Sequence, residues 1–485
     1  MIARRHFVAG LGAAVVLGFS PTKRTWISSA EAASSPFDHV PHLDGVLLTD
    51  PTSLAADAVD VGNIVHNTPM AVLRPGSVED IAKMIRFSRR LGIKVAARGQ
   101  GHTTMGQSQV LGGLVIEMST LNKIHSFSAQ GADVDAGVQW KDLLQTTIPQ
   151  GLVPPVLTGF TALSIGGTLS VGGISSTNGL GAQVDHAREL EVVTGTGEIK
   201  RCSAFHNSDL FEAALAGLGQ CGIITRATVD LMPAPSMARV FAINYTDGAQ
   251  FFADLRILLD RGEFNDVFNL GGPNPSGGFV YQLNAVKFFE PSSPPDGNQL
   301  LRGLSVSPSA ASFQDAPYEA YVLRVDAVID IFKQLGLWDG VLHPWFDAFL
   351  PNRTVEPYVT EVTASLTPDD VGQTGFLLLF PQKRSRLTRK FFRVPESDDW
   401  VFLFDILTAA NVPGPNPAFQ AQMLARNRTL FDKARRLGGT RYPIGSIEFS
   451  KLDWVLQYGE SFPEFAALKA RFDPDNILTP GPGIF

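Results

Sequence analysis

His102 stands inside the run Ala96-Ala97-Arg98-Gly99-Gln100-Gly101-His102-Thr103-Thr104-Met105-Gly106-Gln107. Gly99, Gly101 and Gly106 let the backbone turn to positive φ and bring its N–H groups against a bound group, an arrangement that suits a diphosphate. A second glycine-rich nucleus runs from Thr158 to Ile174, with the pairs Gly166-Gly167 and Gly172-Gly173 and the hydroxyls of Ser164, Thr168 and Ser170. Alone it reads as a tight turn packed under a sheet; beside the His102 loop it reads as a second approach of backbone to the same pyrophosphate. Cys202 and Cys221 are the two cysteines, with neither CxxC nor Cys/His spacing, so a disulfide framework and a metal centre are both excluded, and the two read as buried free thiols.

These motifs resemble the flavin oxidoreductases of the vanillyl-alcohol-oxidase type, with a PCMH-type FAD-binding domain, and most closely the cytokinin dehydrogenases. Gly101-His102-Thr103 is a mild variant of that family's Gly-His-Ser, whose histidine is bonded to the 8α carbon of FAD. The resemblance implies FAD held covalently through His102, with Ala97, Gly99, Gln100, Gly101, Thr103 and Gln107 around it. Leu163 to Ser170 is similar to the family's Leu-Thr-Val-Gly-Gly-Thr-Leu-Ser and implies cofactor contacts from Gly159, Ser164, Gly167, Ser170 and Ile174. Gly217-Leu218-Gly219-Gln220-Cys221-Gly222 continues into Ile223-Ile224-Thr225-Arg226, and Ile224 inherits a backbone contact. At the C-terminus the family's Ser-Pro-Gly-Gln turn becomes Thr479-Pro480-Gly481-Pro482: the hydroxyl is kept and the glutamine donor is lost. Tyr442 matches a family tyrosine near the flavin, and Trp345, in a His-Pro-Trp run shared with the family, is a candidate wall for a flat or apolar substrate.

The implied chemistry is hydride transfer to flavin N5 from a C–H beside nitrogen or oxygen, with a protein group taking the proton from the heteroatom. Here the chain departs from the family. The aspartate of the cytokinin dehydrogenases' Trp-Thr-Asp-Tyr run falls on Gly159, its tryptophan on Leu157, and a second pocket carboxylate falls near Phe268. A relocated base would come from Asp266, Glu361, Asp405 or Glu448, although each residue type is commonest at a surface or helix end. Three readings follow: an oxidase or dehydrogenase of this ancestry acting on another small amine or alcohol, a true cytokinin dehydrogenase acting on N6-isoprenoid adenines, and a flavin-binding protein without turnover. The expected electron acceptor is oxygen or a quinone-like molecule.

The elements that must position these residues are legible as patterns. A β-like run, Ile93 to Ala96, enters the His102 loop and another, Leu114 to Met118, leaves it. Ser77 caps a helix with Ile81, Met84, Ile85 and Leu91 on one face. Glu189–Val193 and Glu198–Cys202 flank a hairpin turn. Beyond Pro233-Ala234-Pro235 no phosphate signature recurs; alternating runs such as Gly278–Asn284 predict antiparallel strands, and helical patterns cover 317–335 and 414–436. The expected fold is α+β in two domains: a split FAD-binding domain over 33–235, an α+β substrate domain with an antiparallel sheet over 236–435, and a return to the FAD domain over 436–485.

With 485 residues, 44% apolar and 18% charged, the chain has the material for a large core and for two or three domains. Net charge is −7 and no basic cluster is dense enough for a nucleic-acid surface. No strand-linked G-x-G-x-x-G with a downstream acid indicates a nicotinamide site. Arg4-Arg5-His6-Phe7, an apolar run to Phe19 and Ala30-Glu31-Ala32 predict a twin-arginine signal peptide over 1–32, cleaved after Ala32. The apolar run is too short for a permanent membrane span. The expected partners are therefore a small-molecule substrate, an electron acceptor and the twin-arginine export machinery, with a periplasmic or secreted destination.

Overall fold

A computed structural model describes residues 16–28, 38–274 and 276–485. Strands β1 (Val46–Leu48), β2 (Ala71–Arg74), β3 (Val95–Arg98) and β4 (Leu114–Glu117) form one sheet in the order β1-β2-β4-β3. Both β2 and β3 run parallel to β4. Helix α1 (Val78–Leu91) lies between β2 and β3 in sequence. It starts where Ser77 Oγ accepts the Asp80 N–H, buries Ile81, Met84 and Ile85, and stops at Gly92, whose φ of 62° a side chain would disfavour. The connection from β3 to β4 is the His102 loop, so the loop springs from the carboxyl end of a parallel strand, where open α/β sheets bind ligands.

The other half of this domain is antiparallel. Strands β5 (Ile124–Ser128), β6 (Gly131–Asp135), β7 (Ala187–Thr194), β8 (Ile199–Ser203) and β9 (Gly222–Val229) stand in the order β8-β7-β9-β6-β5. Between β6 and β7 comes helix α2 (Ile165–Val171), where the sequence reading allowed a tight turn. Cys202 and Cys221 are free and buried, and burial pushes both thiols up to about 12.

The second domain is one eight-stranded antiparallel sheet. Its strands are β10 (Met237–Tyr245), β11 (Asp266–Pro273), β12 (Phe279–Phe289), β13 (Ser312–Pro317), β14 (Phe346–Pro351), β15 (Phe376–Lys383), β16 (Trp400–Leu407) and β17 (Thr440–Arg441), in the order β13-β10-β12-β11-β15-β16-β14-β17. Alternation along β16 separates two faces. Phe402, Phe404 and Ile406 enter a core shared with helices α3 (Gly248–Arg261), α5 (Asn352–Ser365) and α6 (Pro417–Arg436). Leu403, Asp405 and Leu407 face a cavity instead, which helix α4 (Arg324–Gln334) also lines.

The chain then returns through α7 (Lys451–Tyr458) and α8 (Phe462–Phe472), whose Trp454, Tyr458, Phe465 and Phe472 join the core of the first domain. Buried Lys469 donates to Asp473 at 2.7 Å, Gln220 O at 3.0 Å and Leu478 O at 3.1 Å, while Asp473 accepts the N–H groups of Ile477 and Leu478. Fully partnered in this way, the ion pair offsets its own desolvation and lays residues 477–479 along the edge of β3. Thr479 N–H donates to Val95 O at 2.7 Å, beside the His102 loop.

Residues 16–28 form a hairpin, Val16–Ser20 against Thr25–Ser28. Phe19 is fully buried, and Trp26 stacks on Phe87 of α1 at 6.0 Å. The segment read from sequence as leader is thus, over its described part, packed on the first domain. Arg4, Arg5 and Ala32 lie outside the described residues.

Candidate active site

The His102 loop is fastened from below. Asp60 Oδ2 accepts Thr103 Oγ1 at 3.0 Å and the Gly106 N–H at 2.7 Å, and Val61 N–H donates to Gly101 O at 2.9 Å. Burial pushes the Asp60 carboxyl up to about 6 against these donors. Thr103 therefore spends its hydroxyl on the loop itself. Gln107 likewise accepts the Met105 N–H at 2.8 Å and donates to Ile444 O at 3.2 Å, joining the loop to the chain after β17. Gly101 sits at φ 62°, a conformation that a side chain would strain, and a Cβ there would push on the Arg98 guanidinium at 2.4 Å.

His102 is presented to an aromatic surround: Phe160 at 5.0 Å, Trp345 edge-on at 5.3 Å and Trp338 nearly parallel at 6.1 Å. Its ring is partly open to the cavity but lies deep in the protein. Burial holds its pKa down to about 3, helped by nearby His343 and Lys333. The imidazole is therefore neutral at physiological pH, with a nitrogen lone pair available.

The second nucleus meets the first so closely that a Cβ on Gly99 would lie 2.1 Å from Ser164 Oγ, and one on Gly167 would lie 2.8 Å from the same atom. Two of the three hydroxyls expected as ligand donors are used within the protein: Ser170 Oγ donates to Gly166 O at 2.7 Å, and Thr168 Oγ1 accepts Trp140 Nε1 at 2.8 Å. Thr479 Oγ1 donates to Gly219 O at 2.9 Å. Tyr442 is buried, with the backbone N–H groups of Gly173 and Ile174 at its hydroxyl.

Between these parts and the eight-stranded sheet lies a cavity of about 890 Å³. It brings together Ala97, Gly99, Gln100, Gly101, His102, Thr103, Gln107, Gly159, Ser164, Gly167, Ser170, Ile174, Ile224, Trp345, Tyr442 and Thr479. The four candidate acids separate. Glu361 is exposed and paired with Lys433, and Glu448 is exposed; neither reaches the cavity, so both are set aside as bases. Asp266 is buried in an adjoining pocket of about 230 Å³ behind Gly159, where it accepts Tyr321 Oη at 2.6 Å and Ser176 Oγ at 3.2 Å. Asp405 lines the main cavity, opposite Asp347 across the β14–β16 pair, and their carboxyls share a hydrogen bond. Burial and mutual repulsion push Asp347 up to about 7 and Asp405 well above the usual carboxylate range.

Sequence reasoning missed Asp347, His343 and Trp338. Asp347 lies two residues beyond Trp345 in a strand-like run, a spacing that could have marked it. His343 donates Nδ1–H to Val61 O at 2.9 Å and leaves Nε2 buried without a partner at the cavity wall.

The site accepts a flavin dinucleotide on its own features. Its volume lies at the upper end for small-molecule sites. Its glycines interlock where side chains would fill the space, and Ser108 Oγ and His343 Nε2 are unpartnered polar atoms at its wall. Among the described residues no group of side chains could hold a metal ion.

Sequence comparison agrees. Residues 69–203 match the profile of an FAD binding domain, and residues 265–485 match that described as cytokinin dehydrogenase 1, FAD and cytokinin binding. The chain is 34% identical to an uncharacterized oxidoreductase of the fasciation locus of Rhodococcoides fascians, over 90% of this chain and 99% of that one. It is 32% identical to cytokinin dehydrogenase 4 of Arabidopsis thaliana, over 91% of this chain and 93% of that one. Among solved structures, 6-hydroxy-D-nicotine oxidase from Arthrobacter nicotinovorans superposes with a TM-score of 0.70, covering 90% of this chain and 96% of that one at 20% identity, and shares the fold.

Proposed function

The chain belongs to the cytokinin dehydrogenase family of FAD-dependent oxidoreductases, and we propose that it oxidises a small amine or alcohol at the C–H beside the heteroatom, with FAD bonded to His102. FAD supplies a hydride acceptor at N5 of its ring system. The observation that carries the reading is the single cavity in which the His102 loop, the second glycine nucleus and Thr479 face the antiparallel sheet.

The chain's own residues divide the work. Both glycine nuclei bring backbone close to the cofactor, and neutral His102 offers the nitrogen for a carbon bond. Trp338, Trp345 and Phe160 make an apolar wall that excludes water where charge separates. Helix α4 covers the cavity with Val325, Val328, Ile329 and Phe332, and Asp326 ties its first turn to Thr161 N–H and Ala162 N–H at 3.0 and 2.9 Å.

N6-isoprenoid adenines are the second reading, supported by the profile match over 265–485 and opposed by Gly159. The test is anaerobic: the purified yellow protein is mixed in turn with isopentenyladenine, secondary amines and alcohols, and its visible absorbance is followed. Bleaching by amines or alcohols alone supports the first reading, bleaching by isopentenyladenine the second. A protein that no member of the panel bleaches binds flavin without turning over such substrates.

A further inference from the structure

We propose that Asp405, with Asp347 as its hydrogen-bonded partner, is the group that takes the proton from the substrate heteroatom in this chain. The inference rests on the oxidoreductase reading above. Relatives that place an aspartate ahead of the second glycine nucleus have a carboxylate where this chain has Gly159, so the proton needs another acceptor. Asp405 stands on the cavity face of β16, between Leu403 and Leu407, where it can touch a bound molecule.

The pair is built rather than incidental. Two acids sit side by side on adjacent antiparallel strands, both buried. Each keeps one oxygen without a protein partner: Asp405 Oδ1 and Asp347 Oδ2. A buried acceptor left open at the wall of a largely apolar cavity is costly unless something bound there donates to it. The backbone makes room for the second acid, since a Cβ on Gly445 would lie 2.2 Å from Asp347 Oδ2. The charged and titratable groups facing the pair are Arg441, which favours ionised Asp347, and Tyr442, which lies between the pair and the end of the second nucleus.

Two like charges in contact cannot both ionise cheaply, so the pair shares one proton and keeps one carboxylate ready. In the step, the C–H bond breaks with its electron pair passing to oxidised FAD, the N–H or O–H bond breaks with its proton passing to Asp405 as the proton that Asp405 shares passes to ionised Asp347, and a C=N or C=O bond forms. FAD is reduced by two electrons and the substrate is oxidised by two. Asp266 is the rival acid; Tyr321 and Ser176 occupy its Oδ2 and its Oδ1 is also unpartnered, but it lines the pocket behind Gly159 and not the main cavity.

Two measurements on the FAD-loaded protein test this. The first needs no substrate. Folded Asp347 keeps its proton to about 7 against an ordinary 3.8, so the native form binds more protons in that window and its melting temperature falls as pH rises through it. Asp405→Asn makes that fall smaller; an unchanged fall overturns the shared-proton pair. The second is the rate of anaerobic flavin bleaching by the best reductant of the panel, followed against pH. Asp405→Asn lowers it about 100- to 10,000-fold above the rising limb, where the parent's pair has a free carboxylate, and Asp266→Asn leaves it within a few-fold. An Asp405→Asn variant as fast as the parent, or an Asp266→Asn variant that alone loses the rate, overturns the assignment. Should Asp405→Asn not fold, Asp347→Asn moves the rising limb of the pH–rate profile to lower pH; an unmoved limb overturns the pair. If no panel member bleaches the parent while the melting-temperature effect is present, the substrate reading has failed and the acid pair stands as a structural feature only.

Discussion

Gly159, the position at which the family resemblance leads one to expect an aspartate, has permissive surroundings: a Cβ there would meet only Val325 Cγ2, at 3.8 Å. A Cβ fits there without displacing backbone. Combined with Asp405→Asn, Gly159→Asp is expected to recover at least tenfold of the lost bleaching rate, because it restores a carboxylate at the family position. No recovery in a folded, yellow double variant would show that position 159 no longer faces the reacting bond. At this scale His102 and the glycines were legible in the sequence, since a backbone cradle is a local property of consecutive residues. The acid pair was not: Asp405 was one of four undistinguished acids, and only the β14–β16 register brings Asp347 against it. Thr103 and Ser170 line the cavity, but the sequence did not show their hydrogen bonds, which turn inward.

The elements that matter most are the two glycine nuclei, because they meet at van der Waals distance. Gly99→Ala places a methyl group 2.1 Å from Ser164 Oγ. The expected result is a folded protein whose flavin content per chain falls by more than half, read from the visible-to-ultraviolet absorbance ratio. By contrast, Ser77→Ala removes the N-cap hydrogen bond of α1 and the donation of Ser77 Oγ to exposed Asp44, at a residue that does not line the cavity. It should cost about 1 kcal/mol in denaturant unfolding and leave flavin content unchanged. The α1 cap and face were readable because caps and helical periodicity are written over a few residues. Whether the second nucleus was turn or helix was not, because glycine disfavours helix; here Ile165 and Leu169 bury against the first core and override that preference.

Across the whole molecule, the α+β class and the sheet-bearing second domain followed from pattern, while the sheet's strand order did not, since it depends on contacts far apart in sequence. The buried thiols give a simple global check: Cys202 and Cys221 should resist a thiol reagent in the folded protein and both react once it is denatured. Export through the twin-arginine route, with cleavage after Ala32, remains our proposal for the N-terminus. Cleavage would strip the 16–28 hairpin from Phe87, and the mass of protein recovered from the native host decides whether that hairpin is kept. The proposed chemistry depends on the flavin bond at His102. Acid-precipitated, protease-digested protein should yield a yellow peptide containing His102, with the flavin's mass added; pigment released entirely into the acid supernatant would contradict it.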